Sequence, residues 1–249
     1  MKSLVRCSAV LAMSLAFCGC PKSESDTLKM ATHVSFPPYE VVRNGEIVGV
    51  DVEICRAVAE RLGLDFSVES MEFDAVLPAV VSGKADIAAS GITVTDERKR
   101  NVAFSEPYAS AGLVVLYRKA APYKDDKQLK VRKIGVQNGT TAEKFVLEKI
   151  GNEPKCYRTF DEAVAALKDG ECDFVLEDAT PARAIAENDS ELTVSKAITY
   201  EEYAVAVRKG RDDLLKTVND VIREAKADGR LAKWTEEFSV KTNKEHDRR

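Results

Sequence analysis

Between Asp86 and Tyr108 the chain reads DIAASGITVTDERKRNVAFSEPY. Nine residues of it, Ser90 to Arg98, gather hydroxyls at Ser90, Thr93 and Thr95, a glycine at Gly91 and the guanidinium of Arg98. A planar guanidinium can meet both oxygens of a carboxylate, and Ser and Thr hydroxyls can donate to the same group. Gly91 lets backbone approach closely. The set suits a small carboxylate. Thr95 has the type and place of a helix N-cap, with two acids in the first turn, where the helix dipole favours them. Taken alone, the stretch reads more simply as a strand, a loop and a solvated basic turn. The rest of the chain weighs against that reading.

A partial repeat supplies the opposite chemistry. Phe73-Asp74-Ala75-Val76 precedes Gly83 and Asp86, and Phe160-Asp161 with Ala163-Val164 precedes Gly170 and Asp173. Phe to Gly is ten residues in both copies and Phe to Asp thirteen, which predicts two similar α/β lobes rather than a solenoid, which needs more repeats. Four and five residues past the Asp stand Ser90-Gly91 in the first copy and Glu177-Asp178 in the second. If the lobes face each other, hydroxyls and a guanidinium oppose carboxylates across a cleft. Taken singly, Asp178 reads first as the N-cap of a helix carrying Pro181 in its first turn. Thr140 and Glu143 form a capping-box pair whose first turn, near Thr141, could take an anion or could be a plain loop into a helix.

The elements that must hold these groups follow from periodicity. Leu28–Thr32 reads as a strand ending at HVSFPPYE (33–40), where two prolines hold Phe36 and Tyr39 in a fixed loop. Val41–Val48 is a hairpin with an Asn-Gly turn. Asp51 is expected to cap a helix whose buried face carries Ile54, Cys55, Val58, Ala59 and Leu62, with Gly63 ending it. Phe66–Val68 is a strand, Asp74–Ser82 a helix closed by Gly83, and Val131–Val136 the first strand of the second lobe. Strands alternating with helices imply parallel sheets, whose ligands gather at the carboxyl ends of the strands. His33–Phe36, Met71–Phe73 and Ser90–Arg98 all follow strand ends and converge on one edge. Ala111–Arg118 and Tyr203–Arg208 read as the outward and return crossings between lobes. Helices over 214–228 and 231–238 rejoin the first lobe, Trp234 among its core residues.

The totals fit this picture and exclude others. The 249 residues suit two lobes, with 45% apolar residues for the cores and 31% charged. Residues 1–20 read as an export signal, with Lys2 and Arg6, the apolar run Ala9–Phe17 and Cys18-Gly19-Cys20. That run is shorter than the roughly 20 apolar residues of a membrane span. Cys20 after Gly19 is similar to a bacterial lipobox, so Cys20 is expected to be acylated and to begin the mature chain; a simple cleaved signal is the alternative. Residues 21–27 (PKSESDT) read as a flexible tether and 241–249 as a charged tail. Loss of the two basic leader residues takes the net charge from −4 to −6, and an acidic surface without a basic block argues against nucleic acid. Two histidines and no HExxH, CxxC, Walker loop or G-x-S-x-G elbow leave metal, nucleotide and serine-hydrolase readings unsupported. No cofactor is expected. Cys156 and Cys172 each begin a strand, and a 2-1-3 strand order would set them two strand spacings apart, about 9.5 Å, beyond bridging reach. Both are expected to be free thiols.

Together these segments resemble the bacterial periplasmic solute-binding proteins for polar amino acids, the receptor subunits of ABC importers. The likeness spans nearly the whole mature chain through ATHVSFPPYEV (31–41), GVDVEICRAVAERLG (49–63), SGITVTDERKRNVAFSEPY (90–108), IGVQNGTTAE (134–143) and DGECDFVLED (169–178). The resemblance implies an α/β, two-lobed periplasmic-binding-protein-like fold, each lobe a mostly parallel sheet flanked by helices, with a two-strand hinge. The lobes are expected over 28–116 with 204–240, and over 117–203. By the same likeness Arg98 clamps a ligand α-carboxylate, helped by Thr93 and the Thr141 backbone. Asp178 accepts the α-ammonium, and Ser90 and Gly91 supply other contacts. Phe36 and Phe73 sandwich the ligand side chain, while His33, Gln137 and Glu177 fall where members vary to select it. His33 departs from the acid often found at its position. Two aromatic faces and Glu177 suit a cationic or strongly polar side chain, arginine first, then glutamine or histidine. The implied partners are a free L-amino acid, the permease subunits and, through Cys20, a membrane; the protein is expected to be an extracytoplasmic monomer and not an enzyme. The competing reading is a cyclohexadienyl dehydratase-like enzyme on the same fold, with Glu177 as the acid that protonates a departing hydroxyl.

Overall fold

The computed structural model describes residues 26–239. The leader with Cys20, residues 21–25 of the tether and the charged tail lie outside the described residues.

The first lobe is built on a sheet in the order β4-β1-β5-β13-β6. At its centre β1 (Thr27–Thr32) pairs in parallel with β4 (Asp65–Ser70) and β5 (Ile87–Ala88), while β13 (Ala206–Arg208) runs antiparallel to β5 and to β6 (Val102–Phe104). Between β1 and β4 stand the hairpin β2 (Val41–Arg43) and β3 (Glu46–Val48) and helix α1 (Val50–Leu62). Asn44 and Gly45 both take positive φ, as the two-residue hairpin turn demands. Alternation along β1 divides the core: Leu28 and Met30 pack with α1, α7 (Asp212–Ala227) and α8 (Arg230–Phe238), and Ala31 packs on the other face with α2 (Phe73–Ser82). Trp234 and Phe238 join the first of these cores.

The second lobe repeats the plan. β9 (Lys155–Tyr157), β8 (Ile134–Gln137) and β10 (Phe174–Asp178) form a parallel trio, and β7 (Ala109–Arg118) adds antiparallel pairs with β10, β11 (Leu192–Val194) and β12 (Thr199–Tyr203). Val114 and Leu116 of β7 face α5 (Phe160–Lys168) and α6 (Ala179–Asn188). Leu113 and Val115 face α4 (Thr141–Lys144) with the π-helical turn Phe145–Ile150 that prolongs it. Each lobe therefore carries a parallel trio in 2-1-3 order, and the antiparallel pairs come from the strands next to the hinge. β8 lies between Cys156 and Cys172, and both are free thiols.

Four local expectations need correction. β7 belongs to the second sheet along its whole length, so the outward crossing precedes Ala109 and residues 109–116 go with the second lobe. Both crossings run side by side, with Ser105 N donating to Val205 O (2.9 Å) and Tyr108 N to Tyr203 O (2.9 Å). Gly49, not Asp51, precedes the first turn of α1; Asp51 is fully buried within it, and its Oδ2 accepts the Gly91 amide at 2.9 Å. A short acid near a helix start has two uses, and a buried loop amide elsewhere in the chain selects the second. Leu62 is exposed on α1, and β8 starts at Ile134, leaving Val131 in solvent.

Candidate functional site

The loops that follow β1, β4, β5, β8 and β10 meet in one cavity between the lobes, with ≈ 550 Å³ of space between atoms, its solvent-open part included. All eleven residues expected at the site, from their chemistry or from the family resemblance, line it: His33, Phe36, Phe73, Ser90, Gly91, Thr93 and Arg98 from the first lobe, Gln137, Thr141, Glu177 and Asp178 from the second.

On the first-lobe side the wall is set by buried hydrogen bonds. Ser90 Oγ accepts the His33 amide (3.0 Å) and donates to Glu40 Oε1 (2.9 Å), while the next amide, Gly91 N, goes to Asp51. Glu40 and Asp51 are both fully buried and adjacent. Burial raises both carboxyls: Glu40 goes well above the usual range, pushed further by Asp51, and Asp51 goes to about 6. Gly91 is required here. Its φ is +52°, and a Cβ would stand 2.4 Å from the Phe36 ring. Phe36 in turn stacks on Tyr39 (centroids 5.4 Å apart) and meets the edge of Tyr203 (6.1 Å).

Thr95 caps α3 (Asp96–Lys99) as its type predicts, accepting the Arg98 amide at 3.1 Å. The Arg98 guanidinium lies over the Phe73 ring (5.6 Å to the centroid) and donates to Thr93 O (2.9 Å) and, across the cleft, to Gly139 O (3.1 Å). Two of its five N–H groups are thus engaged, and among the described residues the other three have no hydrogen-bond acceptor. Its pKa is lowered by burial, against the pull of Glu201 and Asp178.

On the second-lobe side, Glu177 is buried and Asp178 nearly so. Asp178 stands at the N-cap position of α6, but its side chain makes no capping bond. It turns instead to the cavity, beside Tyr203 and in the field of Arg98. The capping expectation is thus not met. Burial pushes both carboxyls well above the ordinary range, and each suffers from a second acid: Glu177 from Asp178, and Asp178 from Glu201. Asp178 Oδ1 has no hydrogen-bond partner. A buried, raised carboxyl with one oxygen lacking a partner among the described residues is suited to an incoming cation. Gln137 donates its amide to Arg158 O (3.1 Å), which leaves its carbonyl oxygen for the cavity. His33 Nδ1 is paired with Met71 O (2.9 Å).

The Thr93 hydroxyl, expected to help hold a ligand carboxylate, donates here to Glu201 Oε2 at 2.7 Å, and the Thr141 hydroxyl donates to the same oxygen at 2.6 Å. A carboxylate is already within reach of each, and a hydroxyl has one hydrogen.

Sequence reasoning also missed several members of the site. Phe160 lines the cavity at the repeat position of Phe73, a place the equal spacing pointed to. Glu40 lines it too. Glu201 sits in the alternating strand TYEEY, which carries no signal of a site, and Asp51 was hidden by its resemblance to a cap. The cleft is drawn together by Asn138 donating to Asp74 (2.6 Å), by Lys144 with Glu97, and by Arg98 with Gly139.

Comparison with known proteins agrees with this architecture. The family model described as bacterial extracellular solute-binding proteins, family 3, matches residues 28–241. The L-cystine-binding protein TcyJ of Escherichia coli K12 is 31% identical over 223 residues, 86% of this chain and 83% of that protein. A crystal structure of the P235GK mutant of ArgBP from T. maritima superposes with a TM-score of 0.82 at 36% identity, covering 86% of this chain and 95% of that one. An ancestral arginine-binding protein has been solved with arginine (TM-score 0.79, 35% identity, 86% and 99% covered) and with glutamine (0.79, 36%, 86% and 97%).

Proposed function

The chain belongs to the bacterial extracellular solute-binding proteins of family 3, and from that membership we propose that its cavity closes on a free L-amino acid gripped at both poles. Its class is that of an extracytoplasmic amino-acid-binding component of ABC transporters, and its relatives are binding proteins, not enzymes. In this reading the three free N–H groups of Arg98, with the Thr141 backbone amide, take the α-carboxylate. Asp178 takes the α-ammonium, beside Ser90 and Gly91. The side chain runs between Phe36 and Phe73 toward His33, Gln137 and Glu177.

The observation that carries the reading is the charge balance of the wall. Arg98 is opposed by three lining acids, Glu40, Glu177 and Asp178, on both sides of one cavity. A zwitterion answers Arg98 and Asp178 and leaves Glu177 for a cationic or strongly polar side chain, since Glu40 is taken up by Ser90. Arginine is therefore the first ligand, then glutamine or histidine; relatives solved with arginine and with glutamine lend support. The loaded protein then delivers its ligand to the permease, as a monomer held to the membrane through acylated Cys20.

Calorimetric titration of the mature protein with arginine, glutamine, histidine and cystine tests this. Arginine is expected to bind tightest; no saturable binding by any amino acid would overturn the reading. Detergent phase partitioning tests the anchor: wild type enters the detergent phase and Cys20→Ser stays aqueous, and two aqueous proteins would rule the anchor out.

A further inference from the structure

Glu201 lies on β12 beside the hinge. It is not among the residues that line the cavity, whereas the two threonines it binds are. One oxygen of its carboxylate accepts from Thr93 of the first lobe and Thr141 of the second, at 2.7 and 2.6 Å. A hydroxyl has one hydrogen and two lone pairs. With both hydrogens drawn backward to Glu201, the faces left toward the cavity are lone pairs.

We propose that Glu201 is a positioning residue that turns the Thr93 and Thr141 hydroxyls into acceptors, so that this wall recognises the ligand's α-ammonium rather than its carboxylate. The inference rests on the amino-acid reading above and deepens it. It divides the labour in the cleft. Arg98 keeps its free N–H groups for the carboxylate. The ammonium, with three hydrogens to place, finds Asp178 and the threonine oxygens. It also explains why two hydroxyls beside a guanidinium do not act as its auxiliaries. A donor hydroxyl pointed at the ammonium would repel it, and Glu201 removes that orientation in advance.

Three probes separate the possibilities: arginine, agmatine (the ammonium without the α-carboxylate) and 5-guanidinopentanoate (the carboxylate without the ammonium). Each is titrated by calorimetry into wild type, Glu201→Leu, Glu201→Gln and Thr93→Val. In Glu201→Leu and Thr93→Val, arginine and agmatine are expected to weaken at least about tenfold. 5-Guanidinopentanoate is expected to change less than about threefold. Glu201→Gln keeps a carbonyl oxygen that accepts both hydroxyl hydrogens, and is expected to stay within about threefold of wild type for all three.

Equal loss of all three probes would make Glu201 merely structural and overturn the proposal. So would agmatine spared while the two carboxylate-bearing probes weaken, since the hydroxyls would then serve the carboxylate. A Glu201→Gln variant as weak as Glu201→Leu would assign the effect to charge and overturn it as well. Wild type that binds no probe would overturn the amino-acid reading itself.

Discussion

The two lobes hold their strand ends with the same scaffold and arm them with opposite chemistry. In each, a helix ends at a left-handed glycine, Gly83 (φ 78°) or Gly170 (φ 77°). In each, an aspartate three residues later accepts a lysine amide, Asp86 from Lys29 on β1 and Asp173 from Lys133 just before β8, both at 3.0 Å. The return bonds, Asp86 N to Lys29 O and Asp173 N to Lys133 O, measure 2.9 and 2.8 Å. Four and five residues on, the likeness ends. The first lobe presents Ser90 and Gly91, with its acids Glu40 and Asp51 placed behind them as supports. The second presents Glu177 and Asp178 themselves, with no cation of their own lobe to meet them. A repeated frame thus fixes where the walls stand, and two residues per lobe decide what they recognise.

The strongest challenge to that contrast is to remove one pole. A buried charge left alone costs about 3–5 kcal/mol, so Arg98→Ala and Asp178→Ala are each expected to weaken arginine at least about 100-fold, or about 2.7 kcal/mol. Calorimetry showing less than a tenfold loss in both would break the assignment.

Gly91, the counterpart of Asp178, tests whether the first lobe tolerates a side chain there. Gly91→Ala must carry a positive φ and force the Phe36 ring away. Strain of this kind costs about 1–3 kcal/mol, so affinity is expected to fall about tenfold and the melting temperature to drop. An unchanged protein would mean that the loop is looser than its hydrogen bonds imply.

Buried acids of both lobes, Asp51 and Glu40 in the first and Glu177 and Asp178 in the second, also make stability depend on pH. Each is raised by burial, so the folded state holds its protons more tightly than the unfolded chain. Stability is then lost as pH rises from the ordinary carboxylate range through the folded values. Asp51 titrates at about 6, so its share is lost between about 4 and 6. The Glu177–Asp178 pair, raised further, extends the fall above that. The melting temperature of the ligand-free protein is expected to decline from pH 5 to 8, and Glu177→Gln to flatten the upper part while the lower part persists. No change in the upper part in Glu177→Gln would assign that part to other groups, Glu40 first among them.

The smallest effect addresses the shared frame. Asp86→Ala and Asp173→Ala each remove one bond to a lysine amide, part-buried in the first lobe and exposed in the second, about 1 kcal/mol. Matching losses in urea unfolding, with arginine affinity within about threefold of wild type, are expected. A large loss in one lobe only would mean that the repeat is formal and not energetic.

Much of the frame was legible in the sequence because it rests on local signals: the equal Phe–Gly–Asp spacing, the Thr95 cap, the Asn-Gly turn, and the strand alternation that keeps Cys156 and Cys172 apart. The convergence of the loops on one cavity was legible too, since strand ends in such sheets share an edge. What could not be read were partners distant in the chain. Asp51 and Gly91 stand 40 residues apart, and Thr93 and Glu201 stand 108 apart. No periodicity reports such a bond, so Asp51 passed for a cap, Glu201 drew no notice, and the Thr93 hydroxyl passed for a free donor. The crossing was misplaced because an apolar run reads the same on either side of a hinge.

The central claim is that a free amino acid lies between Arg98 of one lobe and Asp178 of the other. A crystal structure with bound arginine tests it most directly. The account predicts the α-carboxylate about 2.7–2.9 Å from the Arg98 guanidinium and the α-ammonium at like distance from Asp178. Arginine bound with its poles reversed, or seated outside this cavity, would contradict it.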